Sequence, residues 1–334
     1  MGLKVIMGSL FLIMSKEKRE NKNFLYDYPR KINFKYFLKF IFVKIENLFY
    51  RICFILAARK SLDKKYRVSV CTIFKDEAPY LKEWIEYHKI IGVDHFYLYN
   101  NNSSDDFMKI ITPYIKKGVV TLIDWPMQQG QIKAYKDCIR KYRHESNWIG
   151  FIDVDEFIVP IKENDVYSFL KKFKNRPAVK LYWQLFGTSG RVDRVRTGLV
   201  TEDFTICWRK YDEVGKCFYN TAYDFNFNSP KSKGMNHFFW ASWKGIDLPP
   251  VNCFDSICQR GFERAKSVDF PIQLNHYFTK SFNEYIEKTT RGDAFFKVNP
   301  RNINYFYRHE LLCTKKDYSV YKYLIKLKLA MKEK

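Results

Sequence analysis

No two cysteines in this chain have CxxC spacing. The eight lie at 53, 71, 138, 207, 217, 253, 258 and 313. No Cys/His run has zinc-finger spacing either, so a structural zinc module of that kind is excluded. Most of these cysteines sit inside apolar segments, which reads as reduced, buried thiols in a cytoplasmic protein. A long apolar run is missing from the N-terminus: "MGLKVIMGSLFLIM" extends for only about a dozen residues, too short to cross a bilayer. It has no small-residue cleavage site and makes a poor signal peptide. Acidic residues are in deficit, 36 against 58 lysines and arginines, for a net charge of +22. That imbalance favours anionic partners: nucleic acid, an anionic membrane surface or a phosphorylated substrate. Internal repeats and low-complexity segments are absent.

What is present suffices for a full core. The chain has 334 residues, 46% hydrophobic and 18% aromatic, enough for one large domain or two small ones. Residues 1–65 form a basic, aromatic-rich arm. Within it, "FKYFLKFIFVKIENLFYRICFILAARK" (34–60) interrupts apolar residues with Lys35, Lys39, Lys44 and Arg51. Such a segment suits a basic amphipathic helix on an anionic membrane, or a helix packed on the domain that follows.

From residue 66 the pattern changes. "YRVSVCTIF" reads as a buried strand, and "KDEAPYLKEWIEYHKIIG" as a helix with Pro79 near its start and Gly92 after its end. Leu81, Trp84, Ile85 and His88 share one face of that helix. "VDHFYLYNNNSSDD" is a strand running into a polar turn, with a helix N-cap expected at Ser104 or Asp105. Helix, strand, helix and strand follow, ending at "WIGFIDVD". This alternation predicts an α/β fold with a mainly parallel sheet flanked by helices. Ligands bind such sheets beyond the carboxyl ends of the strands. The polar clusters "KDE" (75–77), "NNNSSDD" (100–106) and "DVDE" (153–156) all stand at those ends, so three distant clusters are expected to meet at one crevice.

The last cluster carries the most chemistry. Asp153, Asp155 and Glu156 lie between two apolar segments, where unpaired burial of like charges is costly. A positive group is expected among them. Alternation along a strand would send Asp153 and Asp155 to one side, and two hard oxygen ligands suit Mg²⁺ or Mn²⁺ bridging a diphosphate. Lys75 would suit a phosphate.

"CTIFKDEAPYLKEWIEYHKIIGVDHFYLYNNNSSDD", "IGFIDVDEFIVP", "LFGTSG" and "LNHYFTKSFNEYIEKTTRGDA", in this order and spacing, resemble glycosyltransferase family 92 and its bacterial relatives over about residues 66–297. The resemblance implies a GT-A domain at 66–300, a nucleotide-sugar donor with UDP expected, a divalent metal and inversion at the anomeric carbon, with galactosyl transfer the best-known activity. A basic helical tail is expected at 301–334. Carried over, the resemblance puts the donor against Thr72, Lys75, Glu77, Asn100, Asn102, Asp105, Gln131 and Asp153. It puts Mn²⁺ or Mg²⁺ at Asp153, Asp155 and His276, and the catalytic base at Glu202, Asp203 or Asp293. Lys280, Lys288 and Arg291 could neutralise phosphate, and Trp183, Phe186 and Trp208 could stack on an acceptor sugar. The acceptor expected is a glycan or glycolipid such as lipooligosaccharide or capsule, worked on at the cytoplasmic side of a membrane. The competing classes are a metal-dependent nucleic-acid enzyme, disfavoured because no zinc module or RNA-binding aromatic motif is present and the basic residues are spread through the chain, and a non-catalytic sugar or nucleotide binder. No nucleic-acid partner is expected.

Overall fold

The computed structural model describes residues 34–57, 64–194, 198–259, 265–290 and 301–332, with side chains from residue 41. Asp293 and Arg291 lie outside the described residues, as does the short apolar segment at the N-terminus. A 24-residue helix, α1 (Phe34–Ala57), leads into the alternating part of the chain. There β1 (Tyr66–Phe74), α2 (Ala78–Ile90), β2 (His95–Asn100), α3 (Phe107–Lys116), β3 (Val120–Asp124), α4 (Gln131–Tyr142) and β4 (Ser146–Phe151) follow the expected order. Leu81, Trp84, Ile85 and His88 are fully buried on α2. Gly92 ends that turn at φ +91°, a left-handed conformation that glycine adopts without penalty.

After β4 come β5 (Glu156–Pro160), α5 (Val166–Leu170), β6 (Ala178–Leu185), α6 (Val200–Asp203), β7 (Ile206–Trp208), β8 (Asp212–Asn220), β9 (Ala241–Trp243), β10 (Ile246–Leu248), β11 (Val251–Asn252) and β12 (Ile272–His276). The chain closes with α7 (Phe282–Thr290), α8 (Ile303–Leu312), β13 (Cys313–Lys316) and α9 (Leu324–Lys332). One nine-stranded sheet runs β3-β2-β1-β4-β8-β6-β12-β5, with β11 beside β6. β1 to β4 pair in parallel, and so do β6 with β12 and β11. β8 is antiparallel to β4 and β6, and β5 is antiparallel to β12. This is the mixed, mainly parallel sheet expected.

The connection from β4 to β5 decides where the site lies. The two strands are neighbours in sequence, yet β8, β6 and β12 stand between them. Four inter-strand gaps amount to roughly 19 Å, whereas residues 152–155 reach roughly 17 Å when extended. The sheet therefore curls, and the acidic segment crosses β8, β6 and β12. β4 ends at Phe151, so Asp153 and Asp155 sit in a turn, not on a strand. The alternation expected to align them does not apply; the crossing does that work.

Two other expectations are corrected. Asp106, not Ser104 or Asp105, is the N-cap of α3, and it makes no side-chain cap bond. The reason is that Asp105 Oδ2 accepts from Ala78 N at 2.7 Å, and Asp76 Oδ1 holds Ser104 N at 2.7 Å. The tail is not wholly helical: β13 pairs with β7, and Lys82 on α2 donates to Met331 O in α9 at 3.0 Å. Its strand forms because residues 313–316 complete an edge that β7 leaves open. All eight cysteines are free, seven of them buried.

Candidate active site

The "DVDE" turn meets a different side chain from each strand it crosses. From β8, Lys216 Nζ lies 2.8 Å from Asp153 Oδ2 and 3.9 Å from Glu156 Oε1. From β6, Trp183 Nε1 donates to Glu156 Oε1 at 2.7 Å. From β12, His276 Nε2 stands 3.5 Å from Asp155 Oδ1. Lys288, on α7, pairs with Asp155 Oδ2. Underneath, Gln131 Nε2 and Tyr135 OH on α4 donate to Asp153 Oδ1 at 3.0 and 3.2 Å. Glu156 Oε2 turns back to accept from Asp153 N at 3.0 Å. The positive partners expected from the sequence are thus lysines of this chain.

Burial alone would raise the pKa of Asp153, but Lys216 overrides it and holds the carboxyl below the usual range. Burial is likewise outweighed at Asp155, chiefly by Lys288 and then His276, which keep it well below that range. Glu156 goes the other way: burial raises it well above, with Lys216 opposing and the two aspartates reinforcing. The turn therefore separates two ionised carboxylates from one that favours its proton. Burial lowers His276, against the pull of Asp155.

The clusters after β1 and β2 are knitted together as expected. Ser103 Oγ accepts from Asp76 N at 3.0 Å, and Asn100 Oδ1 accepts from Ser103 N at 2.9 Å. Lys75 and Asn102 are exposed, and Asn102 takes φ +54°. Asp105 Oδ1 is buried with no hydrogen-bond partner among the described residues, an unsatisfied acceptor. Thr72 differs from expectation. It is fully buried within β1, with Oγ1 directed to Ile73 O at 3.4 Å, because that face of β1 packs into the core.

A cleft of about 90 Å³ lies between the "KDE" segment and α7, lined by Asp76, Tyr80, Lys280, Glu284 and Lys288 among others. Its volume matches a phosphate-sized group; whole ligands of drug size need ≈ 300 Å³ or more. Lys280 Nζ is buried there, 3.9 Å over the Tyr80 ring and 3.8 Å from Glu77 Oε2. Burial lowers its pKa, with Glu77 opposing. Lys288 lines the same cleft, which joins it to the acidic turn.

Of the base candidates, Glu202 pairs with Lys328 of α9. Asp203 Oδ1 accepts from Arg191 at 2.7 Å; burial raises its pKa, Arg191 opposes, and Arg194 and Glu284 also act on it. Both sit on α6, whose first N–H groups are held by the buried Glu83 carboxylate at 2.8 and 2.9 Å. Of the aromatic candidates, Trp183 is part-exposed beside His276 and His237, with ring centroids 4.5 and 5.1 Å away. Phe186 and Trp208 belong to the buried interior and cannot reach a sugar.

The family match is weak around Lys216, and Glu156, Tyr135 and Tyr80 have no role assigned from the sequence. The available signal for Lys216 was a cation inside the apolar strand "GKCFY". The donor set of Asp153, Asp155 and His276 matches a hard divalent ion, and His276 Nδ1 is buried without a hydrogen-bond partner among the described residues. The ammonium groups hold these ligands apart: among the described residues, the trio whose ligand atoms all fall within 4.8 Å is His309, Glu310 and Cys313. In that trio both Glu310 oxygens are engaged by Thr188, at 2.9 and 2.7 Å.

The family model described as Glycosyltransferase family 92 matches residues 64–242. A glycosyltransferase family 92 protein of Oryza sativa subsp. japonica is 31% identical over 41% of this chain and 24% of its own length. One of Arabidopsis thaliana is 37% identical over 28% and 16%. A galactan beta-1,4-galactosyltransferase of Arabidopsis thaliana is 33% identical over 30% and 23%. The chain spans under a quarter of the length of these relatives. Among solved structures, S. aureus TarS 1-349 in complex with UDP-GlcNAc is similar at 14% identity, covering 47% of this chain and 46% of that one, with a TM-score of 0.32.

Proposed function

This chain belongs to glycosyltransferase family 92, whose model matches more than half of it, and on that footing we propose that it transfers a hexose, galactose by preference, from a UDP-sugar to a glycan acceptor with inversion. The observation that carries the reading is the acidic turn, which crosses three strands beside a phosphate-sized cleft where Lys280 and Lys288 stand among Asp76, Glu284 and Glu287. Galactose and a sugar acceptor find support in the name of the Arabidopsis galactan galactosyltransferase. A surface glycan such as lipooligosaccharide or capsule is the acceptor class proposed.

The nucleotide would lie against Lys75, Asn100 and Asp105. Asp153, Asp155 and His276 would hold Mn²⁺ or Mg²⁺, which when bound neutralises charge on the departing diphosphate. Lys280 and Lys288 add fixed positive charge in the same cleft. In the displacement the acceptor oxygen bonds to the anomeric carbon as its bond to phosphate breaks. The electron pair leaves on the diphosphate, and the acceptor proton passes to a carboxylate. Asp203 is proposed as that base: burial strengthens it, and it responds to Arg194 and Glu284, the latter on the cleft wall. Part-exposed Trp183 offers a face for the acceptor ring.

The test is thermal stability with UDP, GDP and CMP, each with and without Mn²⁺, followed by turnover of UDP-galactose, UDP-glucose and UDP-N-acetylglucosamine. A stabilisation by UDP that needs Mn²⁺ is expected, since a ligand that binds only the folded state raises its stability. A folded protein that none of these ligands stabilises would overturn the reading.

A further inference from the structure

We propose that the outer face of α1 is a lipid-docking surface that seats the protein on an anionic membrane. The helix is amphipathic in the reverse of the usual sense. Its inner face is fixed to the domain: Cys53, Phe54 and Ala57 are buried, and Arg51 pairs with Asp255 at 2.9 Å. Asn47 Oδ1 accepts from Gln259 Nε2 at 2.8 Å, and the Tyr50 ring meets Trp240 edge-on at 6.1 Å. The polar pairing is therefore on the protein side.

The side turned to solvent is apolar. Phe42, Ile45, Leu48, Ile52 and Ile55 follow one another at three- and four-residue steps, Leu56 adjoins them, and each of the six is between 48% and 73% exposed. A helix on a soluble surface normally turns charged and polar residues outward. Single exposed apolar side chains need no explanation, but a contiguous stripe several turns long marks a surface that something covers.

Charge selects the occupant. Lys44 is exposed within the stripe, and Lys35 and Lys39 continue the helix toward its N-terminus; the acids nearby, Glu46 and Asp247, face Tyr50. Beside the helix, exposed Lys231 lies 4.5 Å over the Trp240 ring that Tyr50 touches, and exposed Lys233 follows it. The whole chain carries +22. Apolar residues bordered by lysines and aromatic rings fit the boundary between acyl chains and anionic headgroups. A protein partner would meet the apolar stripe equally well but gives no reason for this cationic border. No described helix is long and apolar enough to cross a membrane, so α1 would lie in the interface. At about 1.5 Å per residue it is about 36 Å long, enough to fix orientation as well as distance.

The experiment is co-sedimentation of the full chain with vesicles of phosphatidylcholine alone and of an equimolar mixture with phosphatidylglycerol, at low and high salt. Binding to the anionic vesicles is expected, weakened by salt. The combined Ile45→Glu, Leu48→Glu and Ile52→Glu variant should lose about tenfold or more of it, and Lys231→Glu with Lys233→Glu should lose binding to the anionic vesicles selectively. Because these positions lie outside the acidic turn, the UDP-dependent thermal shift of each variant reports separately on folding and on the proposed activity. Failure of the full chain to bind either vesicle would overturn the proposal, as would binding unchanged in the apolar variant. A concentration-dependent dimer abolished by that variant would assign the face to a second copy instead.

Discussion

Lys216 Nζ lies 2.8 Å from Asp153 Oδ2 although the two residues are 63 positions apart, and its side chain is only 1% exposed. Burial works against that ammonium, yet Asp153 and then Glu156 keep its pKa above the ordinary lysine value. One lysine thus holds two members of the acidic turn, while Lys288 holds the third. The turn keeps its shape through cations of the chain, and the metal ligands proposed above are the same carboxylates.

Removing that buried cation leaves carboxylates facing each other. Lys216→Met is expected to destabilise the protein by roughly 3 kcal/mol, the usual scale for breaking one side of a buried pair. Urea unfolding measures it. Stability equal to the parent's would show that the turn does not depend on this lysine.

Asp155→Asn keeps the shape of the turn but removes the charge that Lys288 and His276 face. Turnover should fall about 100-fold or more, on the scale of losing one transition-state electrostatic contact. The Mn²⁺-dependent part of the UDP stabilisation should vanish with it. A variant that retains both would remove Asp155 from the site.

The two acids on α6 can be separated. Asp203→Asn should lower kcat by about 100-fold or more while the UDP thermal shift stays intact, because a base acts on the acceptor. Glu202→Gln, whose partner is Lys328, should change kcat by less than about threefold. The opposite ranking of the two variants would move the base to Glu202.

Acid sensitivity should trace in part to His88. Burial lowers its pKa to about 3, and its Nδ1–H donates to Trp84 O at 2.8 Å. A histidine depressed in the folded state takes up its proton preferentially on unfolding. Stability is therefore full above the unfolded pKa of about 6.5 and declines as the pH falls toward 3, by about 1.4 kcal/mol per pH unit. Unfolding free energies measured between pH 7 and pH 4 should lose that slope in His88→Asn, relative to the parent. Parallel pH profiles for the two proteins would exclude His88 as the source.

The order of strands and helices from residue 66 to 151 was legible because it rests on local properties: short continuous apolar runs, the α2 face of Leu81, Trp84, Ile85 and His88, and Gly92 just past that helix. The need for positive charge at Asp153, Asp155 and Glu156 was legible for the same reason, since burial of adjacent carboxylates can be judged from their apolar neighbours. Its source was not. Lys216 and Trp183 belong to β8 and β6, and nothing in their own sequence neighbourhoods points to residue 153; His276, on β12, was tied to the turn only through the family resemblance. Thr72 shows the converse: the family resemblance put the donor against it, whereas packing of that face into the core buries its side chain fully. Sequence alone thus determined the α/β alternation, the acidic cluster and its electrostatic demand, all short-range consequences of periodicity and desolvation. Only the tertiary structure decided which side chains meet that demand. A chain too short to go round a flat sheet must cross a curled one, and the crossing brings side chains of three distant strands to a single turn.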